Sequence, residues 1–147
     1  MKLVIIESPL GTKPDGTRCT AEEMAENQRY ARACMLDSLR RGEAPFASHV
    51  LYPLVLDDAT PEERRMGMEA GFAWGHAAWL AAGPSDTYGE FLATVAVYVD
   101  RGVTSGMRAG IERHKDHRDV SIEERRLGGE WELAEAQAAP KASEASC

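Results

Sequence analysis

Runs of apolar residues alternate along the chain with segments of helical periodicity. Residues 3–6 are continuously apolar, and residues 92–99 are apolar apart from Thr94. Both runs are rich in β-branched side chains, which is typical of strands buried on both faces of a sheet. Residues 44–51 and 120–122 are further strand candidates. The absence of a strict polar alternation in the first two runs favours a parallel sheet over an antiparallel one.

A helix is predicted between the first two strands. The segment Thr20-Ala21-Glu22-Glu23 has the capping-box pattern, and Gly42 provides a stop after Arg41. Asn27 falls on the same face as the apolar residues that this helix is expected to bury, which are Met24, Ala31, Cys34, Met35 and Leu39.

A second helix is predicted from the capping-box pattern Thr60-Pro61-Glu62-Glu63 to about residue 82. Glycines recur on one ridge at Gly67, Gly71 and Gly75. Each glycine costs a helix about 1 kcal/mol relative to alanine, so the ridge predicts close backbone packing. The apolar stripe expected to face the core contains Met66, Ala70, Ala73, Ala77 and either Leu80 or Ala81.

A third helix is predicted over residues 105–114, with Met107 and Ile111 facing inward. The resulting alternation of strands and helices predicts an α/β fold, a mainly parallel sheet of four to five strands covered by helices. We expect one domain over residues 1–129. Residues 130–147 hold four acids and one base, and the composition of this segment predicts an acidic, disordered tail.

Composition narrows the possible partners. The chain has 147 residues, of which 44% are hydrophobic, and its 17 basic and 24 acidic residues give a net charge of −7. This charge argues against binding duplex nucleic acid through a broad basic face. No apolar run is long enough to span a bilayer, and the start of the chain lacks the pattern of a signal peptide. We therefore expect a cytoplasmic protein without membrane contact, whose three cysteines are reduced.

Ligands of parallel α/β sheets bind at the carboxyl ends of the strands. This places Glu7-Ser8, Ser48-His49 and residues 100–108 along one edge. The segment Thr104-Ser105-Gly106-Met107-Arg108 lies at a helix N-terminus, where free amides and the helix dipole favour an anion. Arg108 is predicted to add a phosphate contact; the alternative is plain capping by Thr104 or Ser105 with a solvated Arg108.

Several other polar residues have both a functional and a structural interpretation. Glu7 and Asp100, at strand ends, are either catalytic or ribose-binding acids or hydrogen-bond anchors for the following loops. Glu69 fits a half-buried structural acid, with catalysis as its alternative. His49 is either a base or a simple hydrogen-bonding residue. Asn27 and nearby Tyr30 lie close enough to the first strand's end to contact a ligand.

The absence of common motifs argues against the usual nucleoside-triphosphate-binding, dinucleotide-binding and hydrolase families. The chain has no Walker loop, no GxGxxG, no GxSxG and no CxxC pair. The segment His114-Lys115-Asp116-His117 contains metal-binding residue types, but its place at a helix end favours a solvated terminus. No metal site and no cofactor are predicted.

A combination of segments resembles the nucleoside 2-deoxyribosyltransferase-like superfamily. These segments are Glu7-Ser8-Pro9 after the first strand, Asn27 with Tyr30-Ala31-Arg32, and Val97-Tyr98-Val99-Asp100-Arg101-Gly102 leading into Ser105-Gly106-Met107. The stretch Glu43-Ala44-Pro45-Phe46-Ala47-Ser48-His49 is similar to an uncharacterised branch common in bacteriophages and actinobacteria. The resemblance covers about residues 2–125, apart from the 83–91 insertion.

The resemblance implies a flavodoxin-like, Rossmann-like three-layer sandwich with a nucleoside or nucleotide pocket, in an assembly of two or more copies. The enzymes of the superfamily use a glutamate as nucleophile after Gly-Met, where this chain has Arg108. We therefore expect a phosphate-bearing nucleotide or nucleoside ligand. The full set of expected binding residues is Ser8, Asn27, Tyr30, Ser48, His49, Thr104, Ser105, Gly106, Met107 and Arg108.

Two other functions stay open at this point. One is cleavage or transfer of an N-glycosidic bond by another carboxylate, with Glu7, Glu69 and Asp100 as candidates. The other is a small phage-type factor that binds a host protein. A homodimer formed through the second predicted helix is compatible with each of these functions.

Overall fold

The computed structural model describes residues 1–82, 93–115, 120–129 and 131, with the backbone alone for residues 78–82. Within these residues, strands and helices follow each other in the predicted alternation. The elements are β1 (Leu3–Glu7), α1 (Ala21–Arg40), β2 (Ala44–Phe46), α2 (Ser48–Leu51), a 3₁₀ turn (Tyr52–Leu54), α3 (Pro61–Ala82), β3 (Ala93–Tyr98), α4 (Ser105–His114) and β4 (Val120–Arg125).

The four described strands form one parallel sheet in the order β2-β1-β3-β4. Helix α1 packs on one face of the sheet beside β1 and β2, and α3 and α4 pack against the central strands β1 and β3. The two hydrophobic clusters lie on opposite faces, so the protein has the three layers of a Rossmann-like, flavodoxin-like fold. This arrangement confirms the predicted fold class.

Alternate residues of the central strands build the two cores. Val4 and Ile6 of β1 contact the α1 side with Tyr30. Ile5 instead joins the cluster around Met107 of α4. Since side chains alternate between the faces of a strand, Glu7 at the end of β1 lies on the same face as Ile5, toward α4.

The helix starts agree with the sequence in two cases out of three. Thr20 and Glu23 form the predicted capping box of α1, and the Thr104 hydroxyl accepts from the amide of Met107 at the start of α4. The capping box predicted at Thr60 is wrong. The Glu63 carboxylate accepts instead from the backbone amide of Asp57, and the amide of Thr60 donates to the carbonyl of Asp57.

The second predicted strand is too long. Strand β2 ends at Phe46, and residues 48–51, which were predicted to continue it, form helix α2. β2 pairs with β1 over three residues at the edge of the sheet. The chain then turns to pack α2 against α3. Packing between helices decides this local structure, which the apolar pattern by itself assigned to the sheet.

The face of α3 that packs inward is the glycine ridge. A Cβ placed on Gly67 would lie 3.4 Å from Leu56, and one on Gly71 would lie 2.7 Å from the Cβ of Ser48. This confirms close packing at these two glycines. The predicted apolar stripe is wrong because Met66, Ala73 and Ala77 are exposed and Ala70 is half-buried; the side chains of Leu80 and Ala81 lie outside the described residues.

Two further predictions concern the first helix and the C-terminal segment. Leu39 was expected to be buried but is half exposed, because the inward face of α1 runs through Tyr30, Cys34 and Ser38 instead. Trp131 packs edge-on against Tyr30, with ring centroids 5.2 Å apart. The packed structure therefore continues beyond residue 129; the rest of the predicted tail and the 83–91 insertion lie outside the described residues.

None of the helices in the described ranges has the length and apolar character needed to cross a bilayer. The proposed homodimer through α3 stays a prediction.

A buried ion pair joins the last residue of β4, Arg125, to Glu43, the residue before β2. The guanidinium of Arg125 in β4 donates two hydrogen bonds to Glu43, at 2.7 and 2.8 Å. Their side chains are 6% and 11% exposed. Arg125, aided by a hydrogen bond from Ser38 and opposed by burial, holds the pKa of Glu43 below its usual value. Removing one partner would leave the other charge buried without compensation.

We expect Glu43→Gln to lower the free energy of unfolding by about 3 kcal/mol. The matched control is Glu124→Gln, since Glu124 pairs with Arg126 at the surface, where both side chains are more than 60% exposed. This control should change stability by less than about 0.5 kcal/mol. Urea unfolding at pH 7 measures both variants. Equal effects of the two substitutions would contradict the role given to the buried pair.

Candidate functional site

A cleft of about 110 Å³ opens at the carboxyl end of β1. The end of β1, the short helix α2, helix α3 and the first turns of α4 form its walls. Its polar lining comes from four stretches of the chain, residues 7–12, 48–49, 58–64 and 104–114. The principal lining residues are Glu7, Ser8, Ser48, His49, Asp58, Arg64, Phe72, Thr104, Gly106, Met107, Gly110 and His114.

Glu7 reaches into the cleft over the backbone of α4. A Cβ placed on Gly110 would overlap the Glu7 carboxyl group, lying 2.7 Å from its Cδ. No hydrogen bond to this carboxyl occurs within the described part of the chain. Burial raises the pKa of Glu7 to about 8. The side chain is therefore mostly a neutral carboxylic acid at pH 7, able to donate a hydrogen bond or a proton.

Ser8 and His49 meet at the same wall of the cleft. The Ser8 Oγ lies 2.7 Å from the His49 Nε2. Burial lowers the pKa of His49 to about 4, so the imidazole is neutral at pH 7. A neutral imidazole has one nitrogen that accepts, which fits a hydrogen bond donated by the Ser8 hydroxyl.

Arg64 places a positive charge at the start of α4. Its Nη1 donates to the Asp58 carboxylate at 2.7 Å, and its Nη2 would lie 3.7 Å from a Cβ on Gly106. The side chains of Arg64 and Asp58 are 25% and 15% exposed. The guanidinium and the free amides of the α4 N-terminus thus face one region of the cleft, where both favour an anion.

Arg108 does not line the cleft. Its Nη1 donates to the carbonyl of Val103 at 2.8 Å, and its side chain is exposed. The guanidinium satisfies a backbone carbonyl outside the cleft. The arginine that lines the cleft is Arg64, and the exposed Arg108 fits the alternative of a helix start capped by Thr104.

Asn27, Tyr30 and Asp100 form a separate group on the α1 side. The Tyr30 hydroxyl donates to Asp100 at 2.5 Å, and the same carboxylate accepts from the amides of Leu127 and Gly128. Asn27 donates to the carbonyl of Leu10 and accepts from Arg101. These bonds anchor loops to α1, so the structural interpretation of all three residues fits the geometry better than a place in the cleft.

The remaining predicted residues divide between the cleft and the surface. Ser48, Thr104, Gly106 and Met107 line the cleft together with Glu7, Ser8 and His49, as predicted. Ser105 is exposed at the first position of α4. Glu69 is exposed and pairs with Arg65 one helical turn away at 2.8 Å. Glu69 was expected to be half-buried. It is exposed because it lies on the outward face of α3 with Met66 and Ala73.

Sequence reasoning missed several lining residues, among them Asp58, Arg64, Phe72 and His114. His114 was expected at a solvated helix end but is 2% exposed and lies edge-on to Phe72, at 6.4 Å between ring centroids. Asp116 and His117 lie outside the described residues. The glycine ridge of α3 was the available signal, since the residues flanking Gly67 and Gly71 include Arg64, Met68 and Phe72.

Comparison with known proteins gives one match. Residues 2–83, more than half of the chain, match the model of a domain of unknown function, DUF7768. No curated protein and no solved structure matches significantly. The matched region contains β1, α1, β2, α2 and α3, and therefore Glu7, Ser8, His49 and Arg64.

The buried acid makes stability depend on pH. A pKa raised from the ordinary 4.5 to about 8 means that the folded state holds a proton which the unfolded state releases. Stability from the neutral acid is complete below about pH 4.5 and is lost as pH rises through 8. We expect Glu7→Gln, which is neutral at every pH, to raise the Tm at pH 9 by about 5 °C or more.

At pH 5 the Tm values of Glu7→Gln and wild type should nearly coincide, and thermal unfolding monitored by circular dichroism measures both. Glu69→Gln is the control, because Glu69 is exposed. Parallel pH profiles of wild type and Glu7→Gln would contradict a buried, neutral Glu7.

Proposed function

The chain belongs to the DUF7768 family, and we propose that its cleft binds a small phosphate-bearing ligand, a nucleotide or nucleoside phosphate. The observation that supports this most directly is the position of Arg64 beside the α4 N-terminus. A guanidinium and the amides of a helix's first turn are donors that proteins use for phosphate. The resemblance to the nucleoside 2-deoxyribosyltransferase-like superfamily supports the same class of ligand.

Asp58 keeps the phosphate-binding group in position. It holds one edge of the Arg64 guanidinium at 2.7 Å, while Nη2 lies on the side of Gly106. Because both side chains are largely buried, salt screens them less than a surface pair. The ligand's phosphate would therefore meet a cation whose orientation is already set, which reduces the entropy lost on binding.

The rest of the cleft suits a sugar. Glu7, Ser8 and His49 offer donors and acceptors that match the hydroxyl groups of a ribose or deoxyribose. Phe72 and Met68 supply apolar area on the α3 side. A ligand with its phosphate at Gly106 and its sugar toward Glu7 would use the polar groups at both ends of the cleft.

A second candidate function is cleavage of an N-glycosidic bond. Of the three carboxylates considered, Glu7 alone lies in the cleft, and its raised pKa gives a proton donor at neutral pH. The bond from C1′ to the base nitrogen would break as Glu7 protonates the departing base, and water would add to C1′. Glu7 would act as the general acid and its carboxylate would then take the proton that the attacking water loses, so that water replaces the superfamily's glutamate nucleophile, whose position holds Arg108.

Phosphate binding is tested by substituting Arg64, which lines the cleft, and Arg108, which lies outside it. We expect nucleoside 5′-monophosphates at millimolar concentration to raise the Tm of the wild type, and the corresponding nucleosides to raise it less. Arg64→Ala should weaken binding by roughly 10- to 100-fold, the loss expected for charged hydrogen bonds. Arg108→Ala removes the same group from outside the cleft and should leave affinity unchanged, as measured by titration calorimetry. Loss of binding in Arg108→Ala alone, or no Tm shift with any nucleotide, would contradict the proposal.

Chromatography for released base tests the second candidate. The wild type, incubated with mixed nucleosides and nucleotides, should release base at a rate that falls as pH rises through about 8, where Glu7 ionises. Glu7→Gln should lower the rate by about 100-fold or more, and Glu69→Gln should leave it unchanged. If no substrate releases base, glycosidic cleavage is wrong and phosphate binding is judged by the calorimetry above.

A further inference from the structure

The contact between Ser8 and His49 is more specific than sugar binding requires. The distance of 2.7 Å between Oγ and Nε2 is that of a strong hydrogen bond. Within the described part of the chain, this is the one side-chain hydrogen bond that either residue forms. A serine hydroxyl donating to an imidazole in a ligand cleft is the arrangement of a nucleophile with its general base.

The backbone holds this pair in place from two directions. Ser8 follows the last residue of β1, a strand paired with β2 on one side and β3 on the other. His49 belongs to α2, which Gly71 allows to sit against α3, since a Cβ on Gly71 would clash with Ser48. The Ser8–His49 distance therefore depends on the sheet and on the α2–α3 contact, and not on a mobile surface side chain.

The imidazole is in the protonation state that a base needs. Because burial keeps His49 neutral above about pH 4, its Nε2 lone pair is available to receive the serine proton at pH 7. In the tautomer with its proton on Nδ1, the Ser8 hydroxyl donates to Nε2, and this is the tautomer that a general base requires.

Positive groups face the pair across the same cleft. The α4 N-terminus at Gly106 and the Arg64 guanidinium both line it. Groups of this kind stabilise the negative oxygen that forms when a carbonyl is attacked.

We infer that Ser8 and His49 form the nucleophile and general base of an esterase activity toward small carboxylic esters. The Ser8 Oγ attacks the ester carbonyl carbon while His49 takes the hydroxyl proton. The bond from the carbonyl carbon to the alcohol oxygen breaks, and the alcohol leaves with a proton from His49. Water, deprotonated by His49, then hydrolyses the acyl-serine and releases the acid. This inference stands on the Ser8–His49 geometry and does not require a phosphate-bearing ligand.

A fluorophosphonate probe and p-nitrophenyl acetate test this activity on the full chain. The probe should label the wild type on the peptide that contains Ser8, as identified by mass spectrometry, and Ser8→Ala should not be labelled. His49→Gln retains a hydrogen-bonding group but not the base, and should label and hydrolyse the acetate about 100-fold more slowly. Ser121→Ala, a serine on β4 outside the cleft, should match the wild type.

Circular dichroism and thermal unfolding check whether each variant is folded. If Ser8→Ala does not fold, His49→Gln provides the test. An unlabelled wild type, labelling at another residue, or equal rates in His49→Gln and wild type would overturn the inference. Those results would leave the Arg64 calorimetry unaffected, so the esterase and the phosphate-binding proposals fail separately.

Discussion

The cleft exists because two helices approach their neighbours at positions that have no side chain. Gly110 of α4 lies under the Glu7 carboxyl, and Gly71 of α3 lies against Ser48 of α2. A methyl group at either position would occupy space that another residue fills. A glycine inside a helix costs about 1 kcal/mol relative to alanine, and close packing offsets that cost here. The approach of α4 buries Glu7, and the approach of α3 brings His49 to Ser8.

Burial then sets the charges of the site. Glu7 and His49 are both neutral at pH 7, for the same reason of desolvation, although one is an acid and the other a base. Arg64 and Asp58 form a largely buried ion pair at the wall of the cleft. The site therefore combines this ion pair and the start of α4 with neutral hydrogen-bonding groups, and the net charge of −7 does not describe its surroundings. An anionic ligand is compatible with an acidic protein for this reason.

Residues at the carboxyl ends of the strands divide between two faces of the sheet, one that borders the cleft and one that packs against α1. The expectation that residues at the carboxyl ends of the strands lie together held for Glu7, Ser8, His49 and Thr104. Tyr30 and Asp100 lie at the same edge but face α1, where their hydrogen bonds hold loops. Arg108 follows the predicted helix start, yet its side chain turns back to the carbonyl of Val103. Position along an edge did not distinguish between these sides.

The sequence by itself determined the Thr20 capping box and the bounds of α4, because these follow from contacts between residues close in the chain. It also predicted the parallel sheet, since apolar runs without polar alternation are typical of strands covered on both faces. It also placed Glu7, Ser8 and His49 at the correct edge. Only the tertiary structure decided that residues 48–51 are helical, that α3 turns its glycines inward, and that Arg64 is the cation beside Gly106. These outcomes depend on how closely α3 and α4 approach the strand ends, a long-range packing result that local periodicity does not encode.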